Sequence, residues 1–230
     1  MKQFSLSLPV QGESLAADAP GLTMRSLMTH EAQERVTSPA LEPPITLVRG
    51  YLNGAQQAAL MAEAGDYPFS QPSILVYGRS HLIPRRQVWF GDDGCDYRYS
   101  GLFIRALPWP KYAAKLRQKL ATDFGLLSNG VLVNHYANGQ DCMGAHCDDE
   151  PEMVPQSDIA SISVGASREF VMKHKQLNHK TVLTLESGDL LIMHAPMQEQ
   201  WLHSLPKRAK VTSERLNFTF RQLIANYHNL

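Results

Sequence analysis

At 230 residues, with 43% hydrophobic and 19% charged residues, the chain has the composition of a soluble globular protein and is long enough for one sizeable core. Lys and Arg together number 22, equal to Asp and Glu, so net charge lends no support to a nucleic-acid partner and any such argument must be local. No apolar run is long enough for a bilayer, no clear h-region or cleavage site follows Met1-Lys2, and the three cysteines form no CxxC pair; an intracellular, membrane-free protein with free thiols is expected.

Residues 1–45 mix polar residues, alanine and scattered prolines without sustained periodicity and read as a flexible extension, closing in the linker-like Ser38-Pro39-Ala40-Leu41-Glu42-Pro43-Pro44. A single domain is expected over 46–230. Ile45-Thr46-Leu47-Val48 is a short β-type run, and Asn53-Gly54 then opens a helix over Ala55 to Ala64, where helix formers dominate. Trp109-Pro110-Lys111 starts a second helix, in which Tyr112, Leu116, Leu120 and Phe124 recur at helical spacing. Between the helices, about 66–107, lie Ile74 to Arg79, Pro84 to Gly91 and Tyr97 to Gly101, where aromatic and basic residues interleave as suits stacking on bases and pairing with phosphates. A hairpin with simply buried aromatics gives the same composition.

From about 126 to 225 the pattern becomes short strands separated by turn residues: Val131 to Tyr136, Ile159 to Val164, Glu169 to Lys173, Val182 to Leu185, Asp189 to His194, Trp201 to Leu205 and Arg215 to Phe220. This succession indicates a mainly β (α+β) jelly roll with two supporting helices.

Two stretches carry chemistry. If Ala145-His146-Cys147-Asp148-Asp149-Glu150 is extended, His146, Asp148 and Glu150 share one face and Cys147 and Asp149 the other. Adding His203 from Trp201-Leu202-His203-Ser204 gives two nitrogens and one oxygen, the facial triad expected of non-haem ferrous oxygenases. In the last strand Arg215, Asn217, Thr219 and Arg221 alternate with Leu216, Phe218 and Phe220. A polar strand facing solvent alternates likewise. Guanidinium groups, however, bind carboxylates bidentately, and a ferrous centre needs a carboxylate-bearing co-substrate; Asn134 and Tyr136 add hydrogen-bonding groups on another strand. His174 and His179 read as solvated or touching phosphate, His194 as ending a strand within reach of the site though the motif prefers His203, Cys147 as turned away from the ligands, and Pro206-Lys207-Arg208-Ala209-Lys210 as a solvated basic cluster able to touch a phosphate backbone or serve as a weak targeting signal.

From about Gly50 to the C-terminus the chain resembles the AlkB-type iron and 2-oxoglutarate dioxygenases, in Asn134-His135-Tyr136, His146 to Glu150, Gly188-Asp189-Leu190-Leu191, Trp201 to Pro206 and Arg215 to Arg221. The resemblance implies a double-stranded β-helix with an N-terminal nucleotide-recognition lid over about 66–107. It implies His146, Asp148 and His203 as ligands of Fe(II). Arg215 is then the clamp on the far carboxylate of 2-oxoglutarate, with Asn134, Tyr136, Asn217, Thr219 and Arg221 completing that pocket. The implied chemistry consumes 2-oxoglutarate and O2, yields succinate and CO2, and hydroxylates a methyl carbon on an alkylated ring nitrogen; formaldehyde and the intact base follow.

The lid resembles the duplex-acting DNA-repair branch of the family. By that likeness Tyr77 is an aromatic finger filling the gap left by a flipped base, flanked by Gly78, Arg79 and Arg85. Tyr97, Arg98 and Tyr99 lie around the lesion, and Asp149 and Glu150 give negative surroundings to a cationic base. The expected partner is alkylated DNA, double- or single-stranded, with RNA as a further substrate; a monomer is expected, cytoplasmic in a bacterium and nuclear in a eukaryote. The rival readings are an AlkB-like oxygenase acting on RNA or protein and a non-catalytic jelly-roll metal-binding protein.

Overall fold

A computed structural model describes residues 41–76, 78–99 and 101–229. Its strands in chain order are β1 (Ile45–Val48), β2 (Ser73–Val76), β3 (Arg79–Leu82), β4 (Arg86–Gly91), β5 (Tyr97–Tyr99), β6 (Leu102–Ile104), β7 (Gly130–Tyr136), β8 (Met143–His146), β9 (Ile159–Gly165), β10 (Arg168–His174), β11 (Lys180–Leu185), β12 (Leu190–Met193), β13 (Trp201–Leu205) and β14 (Arg215–Arg221). The helices are α1 (Gly54–Ala64), α2 (Lys111–Phe124) and the short α3 (Pro196–Gln200). Six strands form an antiparallel sheet in the order β1-β12-β9-β14-β7-β4, and four form a second in the order β11-β10-β13-β8. This is the expected jelly roll.

Side-chain alternation assigns the two faces of the larger sheet. Val131 and Val133 of β7, Ile162 and Val164 of β9, and Leu216, Phe218 and Phe220 of β14 join Leu60 of α1 and Leu116 and Leu120 of α2 in one apolar core. On the opposite parity Ile159, Leu191 and Met193 pack with Phe170 and Met172 of β10, Leu185 of β11 and Trp201 of β13, so the second core lies between the sheets. The polar residues of β14 point into that inter-sheet space, where Arg215 and Arg221 are each 2% exposed. A solvent-facing strand is thereby excluded.

The two long helices are fixed to one another by polar contacts. Asn53 caps α1 through a reciprocal box with Gln56, at 3.0 and 2.9 Å. Pro110 offers α2 no side-chain cap; instead Glu63 near the end of α1 accepts from the backbone N–H groups of Tyr112 and Ala113 at 2.8 and 3.3 Å, placing a carboxylate at the positive end of α2. Phe124, expected on the buried stripe, is 40% exposed and leans on Tyr51.

Three local readings are corrected. β8 ends at His146, so Cys147 to Glu150 form a loop rather than continuing the strand; Pro151, which cannot donate to a ladder, follows directly. Within the expected lid, β4 belongs to the large sheet, paired with β7 from Arg86↔His135 to Gly91↔Gly130. What remains of the lid is two hairpins, β2–β3 and β5–β6. α3 was not foreseen beside the two expected helices. The N-terminal extension up to residue 40 and Tyr77 lie outside the described residues, as does the side chain of Tyr99.

Candidate active site

β8 and β13 pair so that His146 and His203 stand opposite one another, ring centroids 4.2 Å apart. Asp148 enters from the loop after β8, its Oδ1 3.6 Å from His146 Nε2 and its Oδ2 3.9 Å from His203 Nε2. One donor atom from each of the three lies within 4.8 Å of the others, the one such grouping of three or more potential ligands among the described residues.

The surroundings orient His146 and put His203 and Asp148 in their ligating forms. His146 Nδ1 is 2.9 Å from the Gly144 carbonyl, so Nδ1–H donates and Nε2 keeps its lone pair towards Asp148. His203 is held neutral: burial, seconded by His146, lowers its pKa to about 3 against the opposing pull of Asp148. For Asp148, burial raises the pKa but Arg221 and the two imidazoles outweigh it and bring it to about 2. Arg221 Nη2 donates to Asp148 Oδ1 at 2.8 Å, both side chains being 3% exposed, and Gln198 of α3 accepts the Asp148 backbone N–H at 2.9 Å. Two imidazole nitrogens and an ionised carboxylate on one side of a space fit a ferrous ion with open coordination positions.

Beside the triad is a pocket lined by Asn134, Tyr136, Arg215, Asn217, Thr219 and Arg221 together with Ser161, Met193 and Phe170. Register explains the gathering: on β14 Arg215 faces Tyr136 and Asn217 faces Asn134 of β7, while Thr219 faces Ser161 of β9. Arg215 Nη2 donates to Ser163 Oγ at 2.9 Å and its guanidinium carbon lies 5.4 Å from the centre of the Tyr136 ring. Its Nε is buried with no hydrogen-bond partner, and burial lowers its pKa to about 10, with Tyr136 opposing and the neighbouring Arg168 assisting. None of its contacts among the described residues is a carboxylate. A buried cation with a spare donor is costly unless an anion completes it. The pocket therefore suits a carboxylate-bearing molecule that pairs with Arg215 beside the triad.

The remaining expected residues divide. Asn217 is engaged within the protein, donating to Ser161 Oγ at 2.8 Å and accepting from Thr219 at 3.2 Å, so its part in the pocket is to hold that wall. Asn134 accepts from Arg85 Nε at 2.7 Å through Oδ1 while lining the pocket. Arg85, Arg98, Asp149 and Glu150 line a second cleft whose wall also contains His146, so the two spaces meet at the triad. Tyr97, by contrast, is 1% exposed, stacked at 4.7 Å on Trp89 with Arg221 over its ring at 5.1 Å. That ring is wall rather than an open stacking surface. Gly78 and Arg79 begin the β3 side of the first hairpin, exposed and outside either lining.

Ser161, Ser163, Arg168 and Gln198 were not picked out from the sequence. The two serines alternate with Ala160, Ile162 and Val164, the period that exposed the β14 residues. Arg168 bridges the carbonyls of Asn138, Asp141 and Pro206 at 3.2, 2.8 and 2.7 Å, tying the loop before β8 to the end of β13. Gln198 sits in a helix of 5 residues, too short for periodicity to reveal.

Residues 44–221 match the 2OG-Fe(II) oxygenase superfamily. The chain is 41% identical over 159 residues to the DNA oxidative demethylase ALKBH2 of Mus musculus, a match covering 66% of each chain. The Homo sapiens ALKBH2 is 40% identical over 159 residues, 66% of this chain and 61% of that protein. The Homo sapiens alpha-ketoglutarate-dependent dioxygenase alkB homolog 3 is 31% identical over 166 residues, 68% of this chain and 57% of the relative. The matches thus span a little under two thirds of these relatives' lengths. A solved structure of OsALKBH1 shares the fold, with a TM-score of 0.55 at 21% identity over 80% of this chain and all of that one.

Proposed function

The chain belongs to the 2OG-Fe(II) oxygenase superfamily, and on that premise we propose that it is an oxidative demethylase of N-alkylated bases in DNA, 1-methyladenine and 3-methylcytosine among them. With Fe(II), 2-oxoglutarate and O2 bound, the metal held by His146, Asp148 and His203 would supply the oxidation that turns the co-substrate into succinate and CO2 and places the second oxygen atom on the N-methyl carbon. The resulting N-hydroxymethyl group then leaves as formaldehyde and the ring nitrogen is restored. The protein's part is to bind, orient and exclude.

His146, Asp148 and His203 hold the metal in this reading, and Arg221 keeps Asp148 ionised and aimed. Arg215 takes the far carboxylate of the co-substrate, steadied by Ser163 and Tyr136, while Asn134, its oxygen bonded to Arg85, completes the pocket wall. The second cleft receives the base, extruded from a duplex or supplied single-stranded. There Asp149 and Glu150 favour a cationic alkylated ring and Arg98 a phosphate. Tyr77 acts as the finger that replaces a flipped base, so Tyr77→Ala loses more on duplex than on single-stranded substrate. The protein works as a monomer in the compartment that holds the DNA.

The single observation that carries the proposal is the buried, uncompensated Arg215 beside the three grouped donors His146, Asp148 and His203. Its test is incubation with iron, ascorbate, 2-oxoglutarate and a methylated oligonucleotide, reading formaldehyde and base restoration together; equal yields of the two are expected. Turnover of methylated RNA or peptide alone moves the substrate class, and iron binding without succinate release leaves a metal-binding protein.

A further inference from the structure

The loop that carries Asp148 grips hairpin β5–β6 through two acids two residues apart. Glu150 takes the Tyr97 hydroxyl, which burial above all keeps protonated. Glu152, 1% exposed, accepts the backbone N–H of Arg98 at the short distance of 2.6 Å. Its Oε1 is also 3.3 Å from His228 Nε2 in the 3-10 turn Tyr227–Asn229, and its carbonyl accepts from Ile224 N–H at 2.8 Å. His228 in turn packs edge-on against Phe103 of β6, centroids 5.5 Å apart. The carboxylate thus holds one strand of the hairpin directly and the other through the C-terminal turn.

A mere anchor for the tail needs less than this. Glu152 Oε2 is buried without a partner, a cost that an apolar residue avoids. The residue whose amide it fixes, Arg98, is exposed and lines the cleft beside Arg85, His146 and Glu150. Because β5 has only three residues, one displaced amide moves the Arg98 side chain with it.

We propose that Glu152, backed by His228, is a positioning residue for the nucleic-acid strand: it holds β5 so that the Arg98 guanidinium stands at the cleft to meet a phosphate next to the target base. The inference rests on the demethylase reading above. It places substrate affinity, and neither iron nor 2-oxoglutarate affinity, under the control of a carboxylate four residues beyond Asp148.

The test compares Glu152→Ala, Glu152→Gln, His228→Ala and Arg98→Ala in the full chain. It measures KM for a 1-methyladenine oligonucleotide, kcat, the 2-oxoglutarate half-saturation, and oligonucleotide Kd by fluorescence anisotropy without iron. Glu152→Ala is expected to raise KM and Kd about tenfold, equivalent to ~1.4 kcal/mol, with kcat and the 2-oxoglutarate half-saturation kept within about twofold. Glu152→Gln keeps an acceptor oxygen for Arg98 N–H and is expected to return KM to within about threefold of the parent. Arg98→Ala should weaken binding as Glu152→Ala does, and the double variant no further, the non-additivity of residues acting as one unit. Should Glu152→Ala fail to fold, His228→Ala carries the same comparison, with a threefold rise in KM expected. An unchanged oligonucleotide Kd in the variants, or losses at Glu152 and Arg98 that multiply, overturns the inference. A parent protein that releases no formaldehyde from any methylated oligonucleotide instead overturns the demethylase reading, and the anisotropy then still decides whether Glu152 governs strand binding.

Discussion

His146 and His203 are register partners on β8 and β13, their rings 4.2 Å apart on the inner side of the smaller sheet. Directly opposed residues on one sheet face are held close by the ladder itself, so both imidazoles are set by backbone pairing before any ion arrives. Asp148 is the mobile third party in principle, since it lies beyond the strand. Arg221 and Gln198 remove that freedom, one through the carboxylate and one through the backbone N–H.

His146→Ala is accordingly expected to fold, because the ring is partly exposed and its hydrogen bond runs to its own strand at Gly144, yet to lose at least about a thousandfold in formaldehyde release. Its second signature is the loss of metal-induced stabilisation. A redox-inert divalent ion at a hundred times its Kd should raise the parent's unfolding free energy by about 2.7 kcal/mol and leave the variant unmoved. A variant stabilised like the parent counts against the triad.

Arg215→Met carries a prediction of opposite signs. Without co-substrate the guanidinium is buried, short of a partner at Nε and facing no acid, so an apolar side chain of similar length leaves apo stability unchanged or raises it. With co-substrate, removing one member of a buried charge pair costs about 2–5 kcal/mol, seen as a 2-oxoglutarate half-saturation higher by roughly 30-fold or more. Thermal melts with and without 2-oxoglutarate measure both at once. Equal half-saturation in parent and variant would assign the distal carboxylate to another cation.

Most of this architecture could be read from residue order, for a physical reason. β14 is flanked by sheet on both sides and has a core on each face, so its polar and apolar sets separate cleanly with period 2. Trp201–Leu205 and Ile45–Val48 likewise fall where the β-type runs place them. The alternation from His146 to Glu150 misleads because Asp148 reaches the triad from a loop, and parity has no meaning outside a strand. β6 has only Leu102, Phe103 and Ile104, too little for a pattern. The inward turn of Tyr97 depends on Trp89 and Arg221, distant in sequence and invisible to local reasoning.

Gln198 is the residue most hidden from the sequence and the simplest to test. Its Oε1 takes the Asp148 N–H at 2.9 Å, and it is 9% exposed at the base of the metal loop. Gln198→Ala leaves that amide unsatisfied and lets the loop shift. Groups that orient a ligand typically change metal affinity by about 10–100-fold when removed, so a rise of that order in the metal Kd is expected. Gln198→Glu keeps the acceptor and should restore most of the affinity, whereas equal weakening in both would assign the effect to packing of α3.

Asp189 gives a prediction about pH. Its carboxylate, 2% exposed, accepts from the backbone N–H groups of Glu186 and Gly50 at 2.9 and 3.0 Å and from Arg49 at 2.6 Å, joining the ends of β1 and β11 to β12. Burial raises its pKa, but the two amides and Arg49 together outweigh burial and hold it below the ordinary value. A folded-state pKa below the unfolded one contributes stability that is fully present above about pH 4 and is lost as pH falls through the folded value. Asp189→Asn should therefore lower unfolding free energy at pH 7 by about 2 kcal/mol, the scale of a charged hydrogen bond lost from a buried site. The gap between parent and variant should narrow as the pH is taken below 4, because the parent then protonates the group that the variant lacks. Urea midpoints at pH 7 and pH 3 measure the gap directly. A gap of the same size at both would mean that Asp189 acts through its shape and hydrogen bonds, with its charge contributing nothing.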